Sequence, residues 1–131
     1  MFNKSKFELP QSFSLISAQI SKEHSEPAHQ KLKSDLMSYG YEPVEVHGHY
    51  GHPEMAYLVP HGGADKDIQN INALGLRHGQ QSVLHSIKGQ HELAFSDKSP
   101  SLRGSSYTEG EHLQDYYTRL PDDRKIQLKL E

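Results

Sequence analysis

The chain has 131 residues, the length of one domain, and this is enough to bury a single hydrophobic core. Only 34% of the residues are hydrophobic, and the net charge of −3 comes from interspersed acidic and basic residues, so no basic face predicts binding to a nucleic-acid duplex. There is no cysteine, which excludes disulfides and zinc–thiolate sites. Without a signal peptide's apolar core or a membrane-spanning run, we expect a cytoplasmic protein with no membrane partner.

The first half of the chain predicts a strand, a helix and two further strands. The apolar run at 13–18 favours a buried strand. Ser25 is a suitable N-cap for a helix whose apolar residues recur every three or four positions as far as Gly40. Segments 41–51 and 54–60 then predict two strands, the first with valines on one face and histidines on the other.

A second helix and a hairpin follow. Asp65 can cap a helix that ends at Gly79, and segments 82–89 and 90–97 predict two strands joined by a tight turn. The resulting βαββαβ order is that of a ferredoxin-like split βαβ unit. We therefore predict an α+β fold with a core at about residues 12–97, to which the hairpin adds a strand.

The last third of the chain is less regular. Residues 98–110 are rich in Ser, Gly and Pro and predict a mobile loop or a lid. The segment 111–131 predicts a short helix followed by a C-terminal edge strand, whose lysines would discourage edge-to-edge pairing. No internal repeat is visible, so residues 1–131 are expected to form a single domain.

The stretch HGHYGHPE, residues 47–54, is the most unusual in a chain that has ten histidines. His47 and His49 are two residues apart on a strand and share a face, and His52 could supply a third nitrogen ligand to a metal. Because the neighbouring valines already fill the core side of this strand, solvated histidines are the stronger interpretation. We expect no physiological metal site and no cofactor, with these three histidines as the alternative ligand set.

A ligand-facing turn is another interpretation of the same stretch. Tyr50 combines an apolar ring with a hydroxyl, which suits stacking on a base or ring, and Glu54 lies where the hairpin returns. Ser17 ends the first strand, and Gln80 and Ser82 join the second helix to its strand. For each of them, hydrogen bonding to nearby loop backbone is the alternative role.

Four short motifs carry a resemblance to a known family: an ISA-type first strand, a helix that ends before Gly40, the HYGHPE turn, and GQQSVL followed by a hairpin. Over residues 13–96 the chain resembles small uncharacterised proteins of bacteria and phages, of the DUF3293 type. The resemblance implies a compact domain and no particular reaction. It points to six recurrent positions, which here are Tyr50, Gly51, Glu54, Gly79, Gln80 and Ser82.

Three functional hypotheses follow from these residues. The first is a binding module for a small polar ligand, with nucleotide-derived molecules among the candidates, lined by Ser17, Tyr50, Glu54, Gln80 and Ser82. A phage origin would suit sequestration of a host signalling nucleotide or another form of counter-defence. The second is a small hydrolase with Glu54 as general base and His49 or His91 as its partner. The third is an inhibitor that binds a host protein without a pocket; the sequence leaves a homo-oligomer open.

Overall fold

The computed structural model describes residues 8–19, 25–49, 53–97, 100–104, 106–109 and 117–129. The two helices are α1 (Glu26–Ser38) and α2 (Asp65–Arg77). The strands in chain order are β1 (Ser12–Ile16), β2 (Val44–His49), β3 (Pro53–Pro60), β4 (Ser82–Ile87), β5 (Gln90–Phe95), β6 (Leu102–Gly104), β7 (Ser106–Glu109), β8 (Tyr117–Arg119) and β9 (Lys125–Lys129). In these ranges they form one antiparallel sheet in the order β6-β5-β4-β1-β3-β2-β8-β9-β7. The predicted α+β class is confirmed.

The central strands bury side chains on both faces of the sheet. In β1, Ile16 packs against the helices, whereas Phe13 lies in a second cluster on the opposite face. We call these two faces the helix face and the inner face. The core of the helix face contains Ile16, Ala18, Leu32, Leu36, Tyr57, Val59, Ile71, Leu74 and Val83. The core of the inner face contains Phe13, Val46, Ala56, Leu58, Leu120 and Ile126.

The sheet covers its own inner face by curling. Leu120, which follows β8, and Ile126 of β9 pack with Phe13 of the central strand, although several strands separate them in the sheet. The two distant strands β6 and β9 come into contact. Strongly twisted sheets of this size commonly curl, and here curling removes from water the apolar residues that no helix covers.

The helix ends follow the sequence signals with one difference. The Ser25 hydroxyl accepts the N–H of Ala28 at 3.4 Å, and Gly40 has φ +88°, as the predicted cap and stop require. The prediction that Asp65 caps α2 is wrong, because Ala64 occupies the N-cap and the Asp67 carboxylate accepts the Ala64 N–H at 3.3 Å. In the described ranges, neither helix has the length and apolarity needed to cross a membrane.

The C-terminal third differs most from its prediction. The connection predicted as a loop at 98–110 contains β6 and β7, because β5 and β9 supply hydrogen-bonding partners to its weakly apolar residues. The C-terminal strand was predicted to lie at an edge of the sheet, and this prediction is wrong, because β9 lies between β8 and β7. The end of the predicted short helix forms β8, whereas its residues 111–116 lie outside the described ranges.

Gly75 allows α2 to lie close to the sheet. A Cβ atom built on it would be 2.5 Å from Cγ2 of Val83. Replacing glycine by alanine inside an exposed helix normally stabilises it by about 1 kcal/mol, but steric overlap in a packed core costs more. We therefore expect Gly75→Ala to lower the free energy of unfolding by about 1–3 kcal/mol in urea titrations.

The double variant Gly75→Ala with Val83→Ala is the control for this prediction. Removing the two methyl groups of Val83 removes the overlapping atom. The alanine at position 75 should then cost less than it does beside valine. An equal cost in both backgrounds would show that the Val83 contact does not set the requirement for glycine.

Candidate functional site

The chain leaves β1 through a polar corner that fixes the start of β3. The Ser17 hydroxyl donates to the carbonyl of Met55 at 2.7 Å and accepts the backbone N–H of Gln19 at 2.9 Å. Ser17 and Gln19 are both buried, with 4% and 9% of their surface exposed. The serine is therefore hydrogen-bonded to backbone, which is the alternative role that its loop position indicated.

The Gln19 side chain extends the sheet beyond the end of β1. Its amide nitrogen donates to the carbonyl of Pro53 at 3.0 Å, and its amide oxygen accepts the N–H of Met55 at 3.1 Å. Gln80, in the loop after α2, donates from its amide to the Gln19 carbonyl at 3.0 Å. One amide side chain thus holds the backbone on both sides of Glu54.

Glu54 is half-buried and belongs to the inner face. It has the same strand parity as Ala56, which is part of the inner core. Its cross-strand neighbour on β2 is Gly48, and the partner of Gly48 on β8 is Thr118. The carboxylate and the threonine hydroxyl therefore flank a position that has no side chain. A glycine inside a strand often marks a place where a ligand approaches the backbone.

The predicted ligand-binding residues gather at this end of the sheet. Continuing the register from Leu15–Leu84 by two residues places Ser82 opposite Ser17. Hydrogen bonds join Ser17 to Gln19, and Gln19 to Gln80. We call Ser17, Glu54 and Ser82 the polar end of the inner face; Gln19 and Gln80 adjoin it, and Gln80 lies beside Gly75 of α2. Tyr50, the remaining predicted ligand contact, lies outside the described residues.

Neither proposed histidine partner shares a site with Glu54. His49 has the opposite parity on β2 and belongs to the helix face. Following the cross-strand pairs from β5 through β4 and β1 to β3, His91 lies in the same row of the sheet as Pro60. The six-residue step from Pro60 to Glu54 along β3 spans about 20 Å. The structure does not bring together the acid–base pair of the hydrolase hypothesis.

The two described histidines of the alternative metal set share a face, as their spacing predicts. The His49 ring is stacked on Tyr117 with centroids 5.7 Å apart, and the Lys125 ammonium lies 4.8 Å from the centroid of that tyrosine. No group of three possible ligands occurs among the described residues, and His52 lies outside them.

We expect no tight zinc binding at this turn, because the His49 ring is stacked on Tyr117 and no group of three possible ligands occurs among the described residues. Isothermal titration with zinc should show no one-site binding below micromolar concentration. Sub-micromolar binding that His49→Ala abolishes would contradict this expectation, whereas binding that survives His49→Ala would lie elsewhere.

A buried hydrogen-bonded chain on the helix face was not predicted from the sequence. Asn72 Oδ1 lies 2.7 Å from His85 Nε2, His85 Nδ1 lies 2.6 Å from the Ser14 hydroxyl, and that hydroxyl lies 2.9 Å from His61 Nε2. The N–H of Gly63 donates to His61 Nδ1 at 3.0 Å. One sequence feature could have revealed it: Ser14 and His85 lie within predicted strands, at positions that share a face with apolar residues.

The hydrogen bond from Gly63 determines which group donates in each bond between His61 and Asn72. A His61 ring that accepts at Nδ1 carries its hydrogen on Nε2 and donates it to Ser14. The Ser14 hydroxyl then donates to His85, which donates to Asn72. Burial lowers the pKa of His85 to about 4, with the nearby His61 as a smaller cause. Burial also lowers the pKa of His61, and Asp67 partly opposes this shift.

The folded state should lose stability on mild acidification. Above pH 6.5, His85 is neutral in both states, whereas between pH 6.5 and about 4 only the unfolded chain binds the proton. This single group lowers the free energy of unfolding by about 2 kcal/mol between pH 7.5 and 5. His61 acts in the same direction, and Asp35 and Asp67, whose pKa values are lowered from 3.8, act below this window.

Urea unfolding at the two pH values measures the loss of stability, and NMR titration of the His85 ring measures its pKa directly. A His85 pKa of 6 or above in the folded protein would contradict this account of the buried chain.

No family model matches this chain, and no curated protein matches it. The resemblance to the DUF3293 type therefore stays a prediction.

Proposed function

We propose that the chain is a binding module for a small polar ligand, held at the polar end of the inner face. The observation on which this proposal depends is the position of Glu54 in the sheet. Its carboxylate flanks the side-chain-free position of Gly48, and Ser17 and Ser82 lie at the same end of the sheet. A half-buried carboxylate at that position suits a ligand that presents N–H or O–H donors.

Preorganisation supports binding at this place. Gln19 fixes the backbone on both sides of Glu54, and Gln80 in turn fixes Gln19. A carboxylate on a rigid strand loses little freedom when a ligand arrives, so more of the interaction energy contributes to affinity. The two amide side chains would then support Glu54, and the ligand itself would contact the glutamate.

The negative charge of Glu54 restricts the class of ligand that can bind. A carboxylate repels phosphate, so a nucleotide-derived ligand would present its amino or hydroxyl groups to Glu54 and direct its phosphate away. The hydrolase hypothesis loses its support because His49 and His91 are both displaced from Glu54. Cytoplasmic location, a phage counter-defence role, a host-protein partner and self-association remain proposals that rest on the sequence.

We also propose that the β1-to-β4 segment is a ferredoxin-like unit to which five strands were added. Its support is the order β4-β1-β3-β2 in the centre of the sheet, with antiparallel neighbours and two helices in the connections. The added strands flank this unit on both sides.

Glu54→Ala should abolish ligand binding and leave the fold intact. Removing a partly exposed carboxylate changes stability by about 0.5 kcal/mol or less. Val46→Ala, which truncates a side chain of the inner core with 1% exposure, should cost about 1–3 kcal/mol. Thermal melts of the two variants give the stability comparison.

Binding is measured by native mass spectrometry of the protein from its source cell and by calorimetric titration with the common nucleoside monophosphates. We expect a bound small molecule in the wild type and in Val46→Ala at low temperature, and none in Glu54→Ala. A Glu54→Ala protein that melts as early as Val46→Ala would make the glutamate structural. Unchanged binding in a stable Glu54→Ala protein would remove Glu54 from the site.

A further inference from the structure

A cavity of about 490 Å³ lies at the opposite end of the inner face from Glu54. Its apolar wall is formed by Leu9, Pro10 and Phe13, where the chain enters β1. The polar residues that line it include Ser86, Lys88 and His91, from the β4–β5 hairpin. This volume is within the range of small-molecule sites, and an apolar body with a few polar groups is their usual composition.

Lys88 has a backbone conformation that lysine rarely adopts. Ile87 pairs with Gln90, so Lys88 and Gly89 form a two-residue turn, and both have positive φ, at 50° and 83°. Such turns favour Asn, Asp or Gly at the first position because other side chains are strained there. A strained residue that also lines a cavity suggests a function for its side chain.

The turn fixes the backbone of Lys88, whose side chain is exposed. The Lys88 N–H donates to the carbonyl of Gln11 at 2.8 Å, which joins the hairpin to the segment that forms the apolar wall. Within the described ranges, the Lys88 ammonium is in no ion pair. A fixed backbone and a positive charge that is in no ion pair suit an anion site.

Ser86 and His91 form the polar wall. The Ser86 hydroxyl lies 2.8 Å from His91 Nδ1, and the two residues are 2% and 5% exposed. They are cross-strand partners, so the sheet itself sets their separation. In either tautomer of the histidine, the pair as a unit carries an N–H or O–H donor, which suits a ligand that accepts hydrogen bonds.

We propose that this cavity binds a small organic carboxylate, with its apolar body against Leu9, Pro10 and Phe13 and its charge at Lys88. The Ser86–His91 pair donates a hydrogen bond to the same carboxylate. This site is distinct from the polar end of the inner face, which takes ligands that donate hydrogen bonds to Glu54. Neither proposal depends on the other.

Two probes of one shape test the charge requirement: 4-phenylbutyrate and its neutral amide, 4-phenylbutyramide. Titrations followed by amide NMR should show saturable shifts at 9–13 and 86–91 with the carboxylate, and binding about tenfold weaker with the amide. Shifts confined to 17–19 and 53–55 would place the probe at the Glu54 end and overturn the cavity proposal. Equal affinity for both probes, or no saturable shift, would also overturn it.

The variant Lys88→Asn tests whether the Lys88 side chain binds the ligand or only supports the fold. Asparagine tolerates positive φ, so this variant should melt no earlier than the wild type. We expect its affinity for 4-phenylbutyrate to fall about tenfold, to that of the amide. Lys66→Asn removes the same charge from an exposed position on α2 and should leave the affinity unchanged. Undiminished binding in Lys88→Asn, or an equal loss in Lys66→Asn, would overturn the proposal.

Discussion

The central strands have two faces to bury, and the rest of the structure follows from this constraint. Tyr57 and Val59 of β3 belong to the core under the helices, while Ala56 and Leu58 between them belong to the inner core. Both helices pack on the same side of the sheet. The other side must be covered by the sheet itself, which curls until Leu120 and Ile126 reach the central strands. The C-terminal strands are thus part of the core.

Curling also decides where binding sites can lie. The inner face is apolar in its middle, where strands from both halves of the chain pack together, and polar residues are placed towards its two ends. Glu54 is at one end, and Lys88 is at the other. Their opposite charges would select different chemistry at the two ends of the same face. Each is held by backbone hydrogen bonds made nearby, through Gln19 in one case and Gln11 in the other.

The buried chain from His61 to Asn72 has a different role, because its members bond one another away from both ends of the inner face. Ser14 and His85 lie on β1 and β4 and face each other across that pair. A slip of one residue between these strands would turn one of the two to the opposite face and leave the other without its bond. Buried polar groups without partners are costly, so the chain specifies the register of the central strands. The low pKa of His85 is the consequence of that burial.

The sequence by itself determined the elements whose signals are local. Capping by Ser25, the stop at Gly40, the alternation of Val44 and Val46, and the hairpin at Gly89 all depend on neighbours in the chain. Only the tertiary structure decided the strands at 102–109, since a weakly apolar segment becomes a strand when a distant one offers its hydrogen bonds. It likewise separated His91 from Glu54 and joined Ser14 to His85, because cross-strand distances depend on register, which sequence spacing does not contain.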